Sequence, residues 1–84
     1  MNWQDRITID PRIHHGKPCI KGTRVPVSVI IGTIAEGYPP ERIIQSWPQL
    51  TIEDVIAALR FAAALAAEAT AVPVHSEAEL WPSD

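Results

Sequence analysis

The chain has 84 residues, of which 46 % are apolar and 20 % are charged, and its formal net charge is −3. This composition is typical of one small globular domain and excludes a disordered chain, and the acidic balance argues against a generic nucleic-acid binder. The lone Cys19 excludes an internal disulfide and a cysteine-rich zinc site. Because no apolar run is long enough to span a membrane and the N-terminus does not resemble a signal peptide, we expect a cytoplasmic protein without a membrane partner.

The charges are distributed unevenly along the chain. Residues 1–24 carry five basic side chains against two carboxylates, whereas residues 25–84 carry two basic side chains against eight carboxylates. A basic first part and an acidic remainder indicate two different surfaces. The alternative is that most of these charges only solvate the surface.

The first predicted elements are short β-strands. "ITIDP" (7–11) alternates apolar and polar residues and stops at a proline, and "KPCIKGTRVPV" (17–27) can supply one or two further strands. Gly16 and Gly22 are the natural turn residues. Because so few short strands bury too little surface to stand alone, they must pack on helices or pair with another chain.

Two helices are predicted next. The first opens at Pro26 and ends near Gly37, and its apolar residues recur at helical spacing: Val27, Ile30, Ile31 and Ile34. The second, shorter helix begins at the prolines of "YPPERIIQSW" (38–47) and ends at Pro48.

A third and longest helix is predicted over about 52–69. Thr51 is a suitable N-cap, and Asp54 stands three residues later, as in a capping box. The predicted core-facing stripe of this helix consists of Ile52, Val55, Ile56 and Leu59.

The second half of this helix, "AALRFAAALAAEA" (57–69), is apolar on nearly every side. A helix of this kind is buried on every side, and an 84-residue chain cannot easily surround it. We therefore expect a two-fold homodimer, with Phe61 and Leu65, which lie off the core stripe, at its interface. The alternative is an alanine-rich helix selected only for helix propensity.

The sequence divides into a single strand-plus-three-helix domain over residues 1–69 and an acidic tail over residues 70–84. The tail sets apolar side chains among carboxylates, notably Val74, Leu80 and Trp81. Such a segment is either disordered or orders on a partner, and we expect it to bind a partner protein.

The residues give little support to catalysis or metal binding. His14 and His15 are adjacent, so on a strand they would point to opposite faces, and no H-x-x-x-H or C-x-x-C spacing is present. Cys19 stands in what reads as a core strand, as a small buried apolar residue would. We expect no cofactor, no metal site and no catalytic residue, and hence a protein that is not an enzyme.

Three helices with a tight second turn favour a helix-turn-helix. The start of its third helix carries Glu53 and Asp54, which would repel DNA phosphates. If DNA is bound, the basic strand region is the better contact surface. The candidate DNA contacts are Arg12, Lys17, Lys21 and Arg24.

Three blocks, "GKPCIKGTRVPV", "AEGYPPERII" and "WPQLTIEDVIAAL", together resemble the family called domain of unknown function 433, over roughly residues 7–66. The resemblance implies a mostly α fold, with short N-terminal strands followed by a three-helix, homeodomain-like helix-turn-helix bundle. Members often sit beside PIN-like nuclease toxins. The resemblance therefore implies the antitoxin of a type II toxin–antitoxin pair, similar to VapB-type antitoxins, which neutralises its toxin and autoregulates by binding operator DNA.

Transferred to this chain, the resemblance makes Gly16, Pro18 and Gly22 part of the scaffold, and Lys17 and Arg24 candidate polar contacts. The family supplies no catalytic residues to transfer. Val74, Leu80 and Trp81 become the candidate toxin contacts, with Trp81 as the natural anchor. Two alternatives stay open: a stand-alone helix-turn-helix DNA-binding regulator and a structural dimeric adaptor.

Overall fold

The structure is a computed structural model that describes residues 2–68. A 3-10 turn at Trp3–Arg6, called the N-terminal turn below, leads into strand β1 (Ile7–Thr8). A second 3-10 turn (His14–Gly16) and strand β2 (Cys19–Ile20) follow. Three helices complete the described chain: α1 (Val27–Ala35), α2 (Pro40–Ser46) and α3 (Ile52–Glu68). This confirms a mostly α fold with short N-terminal strands followed by three helices.

The strands form a small antiparallel sheet. Ile7 pairs with Ile20 and Thr8 pairs with Cys19. After β2 the chain turns back, and the Ile20 amide donates to the Val25 carbonyl at 3.0 Å. The predicted strands are therefore present but short, because the flanking prolines have no N–H to extend the ladder.

Helix α1 ends in a Schellman motif. The Gly37 amide donates to the Ile34 carbonyl at 2.9 Å, and the Tyr38 amide donates to the Thr33 carbonyl at 3.3 Å. Gly37 has a φ of +99°, a conformation that glycine adopts without the steric cost of a Cβ. The predicted end of this helix is confirmed.

Helix α3 begins with the predicted capping box. The Asp54 amide lies 3.3 Å from the Thr51 hydroxyl, and the Thr51 amide donates to the Asp54 carboxylate at 3.0 Å. The other carboxylate oxygen of Asp54 accepts a hydrogen bond from Arg6 at 3.0 Å. This ion pair connects the N-terminal turn to the start of α3.

The core collects residues from β2, the segment after it and all three helices. Its buried members are Ile20, Val25, Val27, Ile30, Ile43, Leu50, Val55 and Ala58. Phe61 packs against this cluster from its margin. The N-terminal turn, α1 and α2 all contact α3, so α3 is the element on which these three pack.

The predicted core stripe of α3 is wrong in three of its four residues. Val55 is buried, but Ile52 and Ile56 are each 40 % exposed and Leu59 is 37 % exposed. The buried side of the helix instead carries Asp54, Val55, Ala57 and Ala58. The physical reason is that small alanine side chains allow neighbouring elements to approach α3 closely, so the face with less apolar bulk lies inside.

Candidate functional site

Residues 21–24, called the basic turn below, connect β2 to the segment that leads into α1. The Thr23 hydroxyl donates to the Ile20 carbonyl at 2.8 Å and accepts a hydrogen bond from the Val25 amide at 3.0 Å. Gly22 has a φ of +83°, which a side chain would disfavour. The turn is thus internally tied, and it holds two exposed basic residues, Lys21 and Arg24, close together in the chain.

A depression of about 570 Å³ lies beside the basic turn. Thr8 and Ile13 line it together with all four residues of the turn. Lys21 also borders a neighbouring polar depression that contains Asp5 and Asp54. Two exposed cations beside an open depression are groups that contact a phosphate backbone.

His14 and His15 lie on a left-handed turn and not on a strand, so the strand geometry expected for them is wrong. Their φ values are 49° and 56°. The His14 Nε2 atom lies 3.0 Å from the Arg24 carbonyl oxygen, which helps to hold the basic turn in place. Within residues 2–68, no three His, Cys, Asp or Glu side chains gather where they could hold a metal ion.

Arg12 is engaged with its neighbour Asp10. Its guanidinium donates to both carboxylate oxygens, at 3.1 and 3.0 Å. These hydrogen bonds lower the pKa of Asp10 and raise the pKa of Arg12. The charge of Arg24 also contributes to the lowered pKa of Asp10, so this carboxylate lies near the basic turn and offsets part of its positive charge.

Lys17 lies on a different surface from the basic turn. It borders an apolar groove of about 380 Å³ between α1 and the second half of α3, called the α1–α3 groove below. The groove is lined by Lys17, Pro18, Val27, Ser28, Ile31, Phe61, Ala62 and Leu65. Of the four candidate DNA contacts, the structure therefore brings Lys21 and Arg24 together and separates Lys17 from them.

The two candidate dimer residues differ in their surroundings. Phe61 packs edge-to-face on Trp3, with 6.2 Å between ring centroids and 74° between ring planes. Leu65 is 55 % exposed. The ring of Phe61 thus already contributes to packing within the chain, whereas Leu65 has most of its surface available.

Sequence reasoning missed the apolar side of α3 that faces away from the core. Its members, called the outer stripe below, are all exposed: Ile52, Ile56, Leu59, Ala63 and Ala66. The signal that could have found it is the pair Ala57 and Ala58, which occupy the opposite side of the helix and favour close packing there.

Cys19 is fully buried, and burial raises the pKa of its thiol. A thiol kept protonated is a poor nucleophile, so Cys19 is a packing residue of the sheet.

The candidate toxin contacts Val74, Leu80 and Trp81 lie outside the described residues. None of the helices within residues 2–68 is long and apolar enough to cross a membrane.

Together, the short sheet and the three helices of the described residues form a small α-rich domain that carries the basic turn, the α1–α3 groove and the outer stripe. Residues 7–62 match the family described as "Protein of unknown function (DUF433)", and the chain belongs to this family. A crystal structure of a DUF433 member from Anabaena variabilis is similar, with a TM-score of 0.70 and 29 % identity. The similarity covers 77 % of this chain and 64 % of that chain.

A curated relative is the uncharacterized protein y4eO of Sinorhizobium fredii, which is 39 % identical over 49 residues. The match covers 58 % of this chain but 22 % of y4eO. The chain thus spans about a fifth of the length of that relative.

Proposed function

We propose that this protein is the antitoxin of a type II toxin–antitoxin pair. It acts in the cytoplasm as a homodimer, binds and neutralises a PIN-like nuclease and performs no catalysis itself. The choice of a PIN-like nuclease as the partner is supported by the resemblance of the three sequence blocks to a family whose members neighbour such nucleases. The observation that carries it is the exposed apolar surface of α3, where Ile52, Ile56, Leu59 and Leu65 are each at least 37 % exposed. Apolar surface of this kind on a small domain is typical of a protein-binding module.

The tail supplies the toxin contacts in this proposal. Residues 70–84 carry three carboxylates and no Lys or Arg, together with the apolar Val74, Leu80 and Trp81. An acidic segment with an aromatic anchor suits a basic RNA-binding surface on a nuclease. Because α3 leads from the α1–α3 groove towards this tail, a partner that holds the tail can also cover the groove.

Binding of operator DNA is the second part of the proposal, and the basic turn is its contact surface. Lys21 and Arg24 are exposed on a turn that is held by hydrogen bonds through Thr23 and His14. The start of α3, where a helix-turn-helix protein reads bases, presents Ile52, Glu53 and Ile56 instead of basic side chains. We therefore assign phosphate contacts to the basic turn and no base reading to the start of α3.

The toxin part is tested by co-expressing the full chain with the product of the adjoining reading frame. We expect a PIN-like nuclease that arrests growth alone, and that co-purifies with the full chain and is silenced by it. Trp81→Ala and a chain that ends at Ala69 should lose both effects. If the adjoining product is no nuclease and the chain retains only DNA, the stand-alone regulator is the correct function. If the chain binds neither a nuclease nor DNA, the structural dimeric adaptor is the correct function.

The DNA part is tested by titrating upstream DNA with the full chain over a range of salt concentrations. Lys21→Ala with Arg24→Ala should weaken binding and reduce the slope of log K against log salt by about two, since each lost phosphate contact removes about 0.9. Arg42→Ala is the control, because it removes an exposed cation on α2 that does not line the depression beside the basic turn. A double variant with an unchanged slope would remove the basic turn from the proposal.

A further inference from the structure

The outer stripe of α3 has the spacing of a coiled-coil seam. Ile52, Ile56, Leu59, Ala63 and Ala66 follow one another at intervals of four, three, four and three residues, and all five are exposed. This is the a/d pattern by which one helix packs along another. At 1.5 Å per residue the part of the stripe from Ile52 to Ala63 is about 17 Å long, which is enough for a helix–helix contact over about three turns.

The stripe is graded in size along the helix. Its N-terminal half carries the large residues Ile52, Ile56 and Leu59, and its C-terminal half carries Ala63 and Ala66. An antiparallel copy of α3 places Ile52 against Ala63 of the partner subunit and Ile56 against Leu59 of the partner subunit. Large side chains then meet small ones at the ends, and the two-fold axis passes between the central pairs. The face is therefore complementary to itself, as an isologous interface requires.

The charges beside the stripe fit the same arrangement. Glu53 and Arg60 are both exposed, and they flank the stripe on one side, seven residues apart. In an antiparallel pair, these equivalent flanking positions face each other, so Glu53 meets Arg60 of the partner subunit twice by symmetry. In a parallel pair Arg60 would lie opposite Val55 of the partner subunit, which is buried and uncharged, and Glu53 would lie opposite a position before the start of α3. The charge pattern thus selects the antiparallel orientation.

We infer that the outer stripe of α3 is the homodimer interface and that it pairs antiparallel with a second copy of this chain. The inference deepens the proposed function by locating its homodimer contact, and it rests on the homodimer in that proposal. It assigns the contact to the outer stripe, whereas Phe61 and Leu65 belong to the α1–α3 groove on the core-facing side. The groove then stays open in the dimer, and α3 is covered where a DNA-reading helix would have to be free.

Charge reversal of the flanking pair is the test, with the full chain in sedimentation equilibrium at several concentrations. Glu53→Arg and Arg60→Glu each replace two attractive contacts by two repulsive ones. We expect each to raise the dimer dissociation constant about tenfold or more, and the combined reversal to restore it. Glu36→Arg, an exposed reversal at the end of α1, is the matched control and should leave the constant unchanged.

A second pair of variants tests the position of the interface. Ile56→Glu should yield monomers that keep the wild-type far-ultraviolet spectrum, because Ile56 is 40 % exposed and outside the core. Leu65→Glu should remain dimeric. A chain in which Leu65→Glu dissociates the dimer and Ile56→Glu does not would move the interface to the groove while the homodimer stands. A monomeric wild-type protein would overturn both the homodimer and its assigned interface. A combined reversal that fails to restore the wild-type dissociation constant would overturn the antiparallel pairing.

Discussion

Asp54 both caps α3 and pairs with the N-terminal turn. It is 7 % exposed, caps α3 through Thr51 and receives the guanidinium of Arg6 at 3.0 Å. Its neighbour Glu53 is exposed, so the two carboxylates that begin α3 have different environments. Of these two carboxylates, Asp54 therefore stabilises the fold, and only Glu53 presents its charge to a partner.

We expect Asp54→Ala to lower the free energy of unfolding by about 2 kcal/mol, because it removes both the cap of α3 and the ion pair with Arg6. Asp54→Asn should cost about 1 kcal/mol less, since an asparagine can still accept the cap hydrogen bond. Urea titration followed by circular dichroism measures both. Glu53→Gln is the control and should stay within about 0.5 kcal/mol of wild type. An Asp54→Ala protein as stable as the control would contradict this account.

The capping role of Asp54 could be predicted from sequence and its ion pair could not. Thr51 and Asp54 are three residues apart, and that spacing alone predicts the cap. Arg6 lies 48 residues away along the chain, and no local pattern connects it to α3. The same limit applies to the basic turn: the turn glycine was predictable, but the contact of His14 with the Arg24 carbonyl depends on the folded loop.

At the level of elements, α1 contains two glycines with opposite roles. Gly32 lies inside the helix, exposed and with open space where a Cβ would stand. Gly37 lies just beyond the helix and has a φ of +99°. The first weakens the helix through its backbone entropy, and the second ends it in a conformation that other residues reach only at a cost.

The same substitution should therefore have opposite effects at the two positions. Gly32→Ala should raise the free energy of unfolding by about 0.5–1 kcal/mol. Gly37→Ala should lower it by about 1–2 kcal/mol. Thermal unfolding of the two variants beside wild type gives the comparison. Equal shifts in the same direction would show that the end of α1 is not held as a Schellman motif in solution.

Helix α3 shows where pattern reading fails at this level. Its existence and its first residue follow from the cap and the apolar spacing, but two apolar faces compete for the core. The bulkier face, with Ile56 and Leu59, has the larger hydrophobic gain on burial, yet it stays exposed while Ala57 and Ala58 are fully buried. Hydrophobic periodicity ranks faces by apolar content, whereas packing also depends on how closely the backbones approach. A single sequence cannot separate these two effects.

At the level of the whole molecule, the described surfaces have separate characters. The basic turn lies between the sheet and α1, the outer stripe follows α3 on the side away from the core, and the α1–α3 groove lies between two helices. Composition predicted a basic first part and an acidic remainder, and two of the four basic candidates, Lys21 and Arg24, do share one turn. The division into different partner surfaces depends on three-dimensional packing, which charge counting does not describe.

The Arg6–Asp54 contact also has a consequence for the order of folding. It closes a loop between residues 48 apart in the chain, and such long-range closure is entropically costly before the helices have assembled. We expect it to form late, after the transition state. Arg6→Ala, which keeps the cap of α3, should therefore accelerate unfolding and change the refolding rate little, and stopped-flow mixing across a range of urea concentrations measures both rates. Slower refolding with an unchanged unfolding rate would instead make the N-terminal turn part of the folding nucleus.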